Sequence, residues 1–176
     1  MALNLVDLNS SVRQFMLDEI NHDIASNKLY ISPRLSDLGK QKYIDLLKES
    51  VLQQDDAWLA ENLATPGIFN STEMRRTKTG VTTAKVPYNA NEMLAEGEFN
   101  RFYLRGLCLY AIQSGLAHLT VYRAKETSNP RPESEAKIGA KIDPRVLLED
   151  LRNHPGVDTA LGLPAGPNSG LSARLT

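Results

Sequence analysis

The stretch from Asn89 to Ser114 limits the folds open to this chain more than any other. It contains no proline, follows Pro87 and stops at Gly115, the residue type that most often closes a helix. Met93, Leu94, Phe99, Phe102, Tyr103, Leu104, Leu107, Leu109, Tyr110 and Ile112 lie around its whole circumference rather than along one stripe. A helix that is apolar on every side has to be surrounded by protein. The rest of the chain must therefore supply a jacket, and 176 residues with 41% hydrophobic content are enough for one ordinary domain around such a helix.

The jacket begins with helices. Asn9 or Ser10 caps a helix to about Ser26, carried by Val12, Phe15, Met16, Leu17, Ile20 and Ile24. Pro33 suits the first turn of a second helix, which continues from Leu35 to Leu52 with Gly39 as a break. Asp55-Asp56 opens a third, short helix that Thr65-Pro66-Gly67 ends. The texture changes at Asn70. From Met74 to Tyr88 the chain is rich in Thr, Val and Lys, and Thr79-Gly80 marks the turn of a hairpin with Pro87 at its end. Beyond the long helix, Leu119-Thr120-Val121-Tyr122 reads as a strand and Asn129-Pro130-Arg131-Pro132 as an irregular loop. Asp143-Pro144 starts a short helix that His154-Pro155-Gly156 ends. The expected class is α+β: N-terminal helices over 1–64, a hairpin–helix–strand core over 70–125, and one domain over 1–161. Residues 162–176 read as a Gly/Pro-rich arm, with Leu171 to Leu175 either a last strand or part of that arm. Its leucines Leu163, Leu171 and Leu175 are candidate contacts with a neighbouring copy.

Few residues in this pattern point to chemistry. Glu98, Arg101 and Arg105 fall on one side of the long helix, at spacings of three and four residues. A structural ion-pair cluster at the core margin takes precedence over an anion site for phosphate or carboxylate. His22, His118 and His154 stand far apart without the close ligand pairs of a metal site, so they read as surface or capping histidines. Cys108, the single cysteine, lies among Leu107, Leu109 and Tyr110 as a small buried hydrophobe, and it excludes an intrachain disulfide. The pairs Asp55-Asp56 and Glu149-Asp150 read as solvated helix faces. No catalytic, metal or cofactor site is assigned, and none of the glycines closes on the Lys-Ser or Lys-Thr of a phosphate loop.

Charge is placed unevenly. The chain carries a net −1, yet residues 1–64 hold ten acids and six bases, whereas 65–88 hold Glu73 alone against Arg75, Arg76, Lys78 and Lys85. That contrast favours head-to-tail self-association, or one basic contact with a polyanion such as DNA. Arg75, Arg76, Lys78 and Lys85 are the candidate DNA-contacting residues, because phosphate contact needs only cations on an exposed element. The simpler reading, lysines guarding an exposed sheet edge, stands slightly ahead of it. No signal peptide and no apolar run of membrane-crossing length is read, so the expected site is the cytoplasm of the producing cell.

The run Ala95-Glu96-Gly97-Glu98-Phe99-Asn100-Arg101-Phe102-Tyr103-Leu104-Arg105-Gly106-Leu107, with Val121-Tyr122-Arg123-Ala124-Lys125 and Gly166-Pro167-Asn168-Ser169-Gly170-Leu171, resembles small proteins of tailed-bacteriophage and prophage gene clusters. The likeness covers roughly the second half of the chain and brings no catalytic residues with it. It implies a virion accessory role: a head–tail adaptor, a head-completion protein or a capsid-associated protein, with homo-oligomers or other virion proteins as partners. The expected function is thus a non-enzymatic assembly protein. Two alternatives stay open. One is a nucleic-acid- or nucleotide-binding regulatory module using 75–85; the other is an enzyme with a site gathered from distant residues such as Glu98, Arg101, Cys108 and a histidine.

Overall fold

In chain order the elements are α1 (Ser10–Ala25), α2 (Asp37–Gln53), α3 (Asp56–Leu63), β1 (Thr72–Thr77), β2 (Gly80–Lys85), α4 (Ala90–Gln113), β3 (Leu119–Arg123), α5 (Pro132–Glu135), β4 (Lys141–Ile142), α6 (Pro144–Asn153) and β5 (Leu171–Leu175). They come from a computed structural model that describes residues 2–156, 161–163 and 169–176. The fold is α+β, with α4 at its centre.

Helix α4 is enclosed because its neighbours take different sides of it: α1, α3 and α6 pack on it, and β5 closes the remainder. Phe99, Phe102, Tyr103, Leu104, Leu107 and Cys108 are all at most 1% exposed. The closest crossing is with α1, at Gly106. A Cβ there would stand 2.8 Å from the Val12 carbonyl oxygen and 2.9 Å from Cγ of Met16, so hydrogen at this position sets the distance between the two helices. Gly115, at φ +70°, ends α4: its N–H donates to the Ile112 carbonyl and that of Leu116 to the Ala111 carbonyl, the paired bonds of a left-handed C-terminal cap.

The other helices start where short polar side chains can accept a backbone N–H. Asn9 accepts from Val12 N (3.0 Å), Asp55 from Trp58 N (2.8 Å) and Asp143 from Arg145 N (2.7 Å). Helix α2 departs from the sequence expectation. Pro33 lies outside it and Ser36 is the cap, accepting from Gly39 N at 3.0 Å. Residues 34–36 are drawn away by a bridge between Leu35 and Phe69 and by Ser36 N donating to the Ile68 carbonyl. Gly39 does not break α2 either. It sits in the first turn, where a Cβ would come within 2.1 Å of the Ile68 oxygen. Pro132, expected in an irregular loop, opens the four-residue α5, a position that needs no N–H donor.

The main sheet is antiparallel in the order β4–β3–β5. Leu171, Ser172 and Ala173 of β5 are buried against α4. Asn100 of α4 donates to the Leu171 carbonyl (2.8 Å) and accepts from the Ser172 hydroxyl (2.7 Å), while the Tyr103 hydroxyl donates to the Ala173 carbonyl (3.3 Å). Of the two expectations for Leu171 to Leu175 the last strand is the one found, and the described residues of 162–176 are not a free arm. Leu163 and Leu171 are core residues, and Leu175 packs against that core. Without them β3 would present an unpaired edge and α4 an uncovered face. The 164–168 part of that expectation lies outside the described residues.

A strap that the sequence did not announce crosses the same sheet. Asn4 N donates to the Ala124 carbonyl (2.8 Å), Tyr122 hydroxyl to the Asn4 carbonyl (2.6 Å), and Leu175 N to the Asp7 carboxylate (2.8 Å). No helix among the described residues is long and apolar enough to cross a membrane.

Candidate functional site

Strands β1 and β2 form a separate two-stranded sheet, paired from Thr72↔Lys85 to Thr77↔Gly80 across the turn Lys78-Thr79. Every residue of the two strands is exposed except the half-buried Glu73 and Ala84. Strands normally bury one face, so a ribbon wet on both is unusual, and a hairpin without packing is only marginally stable in water. Met74 is 69% exposed and Val81 60%, where a folded chain would normally cover them.

Register sorts the side chains onto two faces. Thr72, Met74 and Arg76 share one with Lys85, Thr83 and Val81; the Thr83 hydroxyl points to the Met74 sulfur at 3.5 Å. Glu73, Arg75 and Thr77 share the other with Ala84, Thr82 and Gly80. The second face is tied down at its base. Glu73 binds Arg34 at 2.5 Å and Arg75 at 2.9 Å, and those guanidinium groups, Arg34 first, hold its carboxyl below the usual range. The one acid of the segment is therefore neutralised from the body of the molecule. Arg76, Lys78 and Lys85 are exposed and enter none of the ion pairs found among the described residues. Of the four expected contact cations, Arg75 is paired and the other three face solvent. At the ribbon's root lies an open cleft of about 290 Å³ lined by Leu63, Phe69, Asn70, Pro87 and Asn91, with Tyr88 on its rim and 99% exposed.

The second cluster is inside. Arg105 is fully buried. It forks onto Asp23 of α1 through two hydrogen bonds of 2.6 and 2.8 Å and binds Glu19, one turn earlier, at 2.6 Å. Arg152 of α6 completes the set on Glu19, with bonds of 2.9 and 2.5 Å. Burial acts to raise the Glu19 carboxyl, but the hydrogen bonds from Arg152 and Arg105 outweigh it and leave the group below its usual range. Glu98 pairs with Arg101 at 3.6 Å, and Arg101 reaches the His154 carbonyl at 3.0 Å. Burial pushes Glu98 up to about 7 against the opposing charge of Arg101.

The spacing of Glu98, Arg101 and Arg105 points to one shared cluster, but the hydrogen bonds of Arg105 go to α1 instead. Glu19, Asp23 and Arg152 escape a sequence reading, because nothing in α1 or α6 alone tells a buried charge from a solvated one. With carboxylate partners already on Arg105 and Arg152, this cluster joins α1, α4 and α6 rather than offering cations to a ligand.

Cys108 is wholly buried and its thiol is pushed well up by burial, so it stays protonated. His22 is an exposed neighbour of Asp23 (3.4 Å), and His154 caps α6 with its ring 2.9 Å from Asp150. The two acid pairs are not solvated faces throughout. Asp56 is only 2% exposed and accepts from Leu3 N at 3.0 Å, and burial raises its carboxyl to about 6. Asp150 accepts from Leu161 N at 3.2 Å. No three His, Cys, Asp or Glu side chains gather as a metal site among the described residues. No protein-family model, curated protein or solved structure compared with the chain matches it.

Proposed function

We propose that this chain is a non-enzymatic assembly protein whose ribbon, residues 72–85, is the element that joins it to a larger structure. The single observation behind the reading is that both faces of the ribbon are exposed, with Met74 and Val81 uncovered, while the other sheet buries residues of β3 and β5 in the core. A partner surface would give the ribbon the packing its own chain withholds. The setting proposed is a tailed-phage particle, as the sequence likeness implies, with the chain as an accessory of head or connector. Of the two contact elements expected from sequence, the hairpin over 74–87 and the tail over 162–176, the reading keeps the hairpin, since Leu163 and Leu171 are occupied in the core.

The test compares the molar mass of the whole chain, by light scattering on a sizing column, with that of a version whose residues 73–84 are replaced by Gly-Gly. Multimers formed by the whole chain and lost without the ribbon support the reading. The same mass for both versions at every concentration removes the ribbon as a self-association element.

A further inference from the structure

We infer that the ribbon's partner in that assembly is nucleic acid, held through its phosphate backbone by Arg76, Lys78 and Lys85. The inference rests on the reading of the ribbon as the contact element and names what it contacts.

A second copy of the chain is the competing occupant, and the charge balance decides between them. By sequence the helical part, with ten acids against six bases over 1–64, looks like an acidic acceptor for a basic ribbon. In the fold, three of those acids are withdrawn: Glu19, Asp23 and Asp56 are 2–3% exposed. Seven acids then face six bases, none of which is buried. Along α2 both signs are mixed, Asp37, Asp45 and Glu49 against Lys40, Lys42 and Lys48, and Lys40 already lies 3.8 Å from Asp37. The helical part of a second copy is therefore close to neutral and no longer a strongly acidic acceptor. A nucleic acid is such an acceptor, at one charge per ~1.7 Å of duplex axis.

The ribbon's own chemistry fits that partner. Its three solvent-facing cations lie along one face and the tip, and its one acid is neutralised by Arg34 and Arg75. Thr72, Thr79 and Thr82 are exposed hydroxyls of the kind that bond phosphate oxygens. Two strands about 4.8 Å apart make a ribbon narrow enough for the ~12 Å major groove. Ribbon binding of this kind is weak and blind to sequence, because three phosphate contacts are few.

The experiment is fluorescence anisotropy of a labelled 20-base-pair DNA duplex titrated with the full chain between 50 and 200 mM NaCl, with poly-glutamate in a parallel titration. Binding is expected to weaken with a log–log salt slope of about −3, near 0.9 per phosphate contact. Arg76→Ala/Lys78→Ala/Lys85→Ala should reduce affinity at least tenfold at an unchanged melting temperature, while Met74→Ser/Val81→Ser stays within about threefold. Poly-glutamate should bind far less, as its flexible chain lacks the groove.

No DNA binding at 50 mM NaCl overturns the inference, as does binding that the triple variant leaves intact. Poly-glutamate bound as well as DNA overturns nucleic acid as the class. Should the ribbon prove necessary for multimers while DNA is not bound, the assembly reading stands and this inference alone falls. Should DNA bind through the three cations while multimers never form, self-association falls and the phosphate contact stands.

Discussion

Arg105 has two carboxylates as partners and no exposed surface, so its loss would leave buried Asp23 without its guanidinium and Glu19 with Arg152 alone. Breaking a buried set of this kind by removing one member costs about 3–5 kcal/mol, and Arg105→Ala is expected to show that loss in urea unfolding. Arg105→Lys should recover little, since an ammonium group cannot fork onto Asp23 while holding Glu19. Glu98 behaves differently, because its folded-state pKa is raised from 4.5 to about 7. The folded state then holds the proton more tightly than the unfolded one. Its contribution to stability is full below pH 4.5 and is lost as pH rises towards 7. Asp56, raised from 3.8 to about 6, acts in the same direction over a lower window. Glu19 is opposite in sign: its contribution is present above its usual value and is lost as pH falls through the lowered one. Glu98→Gln should therefore flatten the decline between pH 4.5 and 7, read from thermal melts across that range. A variant whose decline matches the parent's would show that Glu98 ionises freely in the fold. None of these roles is legible from residue type, as Asp18 and Glu19 are neighbours in sequence with one outside the core and one buried in it.

The helices as elements were largely legible. Periodic apolar residues and a polar cap specify α1, α3 and α6, and an unbroken apolar run closed by Gly115 specifies α4, because these are local properties. The start of α2 was not, since the Leu35–Phe69 bridge that displaces it from Pro33 to Ser36 joins segments far apart in the chain. Two glycines of α4 make a paired test. A methyl group added at Gly97 would meet nothing within 4 Å, so Gly97→Ala should stabilise by up to ~1 kcal/mol through helix propensity. The same methyl at Gly106 would meet Val12 and Met16, and Gly106→Ala should cost about 1–3 kcal/mol as α1 is forced away. Chemical denaturation of both variants reads the two signs directly.

For the molecule as a whole, the C-terminal segment and the ribbon should respond oppositely to deletion. A chain ending at Leu161 lacks Leu163, Leu171 and Ala173 from the core and one partner of β3, so it should lose cooperative unfolding in calorimetry. Replacing 73–84 by Gly-Gly removes no core residue and should leave the melting temperature within a few degrees. The α+β class, the central helix, the hairpin and the basic character of 75–85 could all be read from the residues alone, because they follow from local pattern and composition. Three features came instead from packing: Leu171–Leu175 joins the core sheet, Glu19, Asp23 and Asp56 leave the surface, and the ribbon stands apart from the core. Burial of a charge or a strand depends on which distant surfaces meet it, and that information is carried by the packed fold rather than by any single segment.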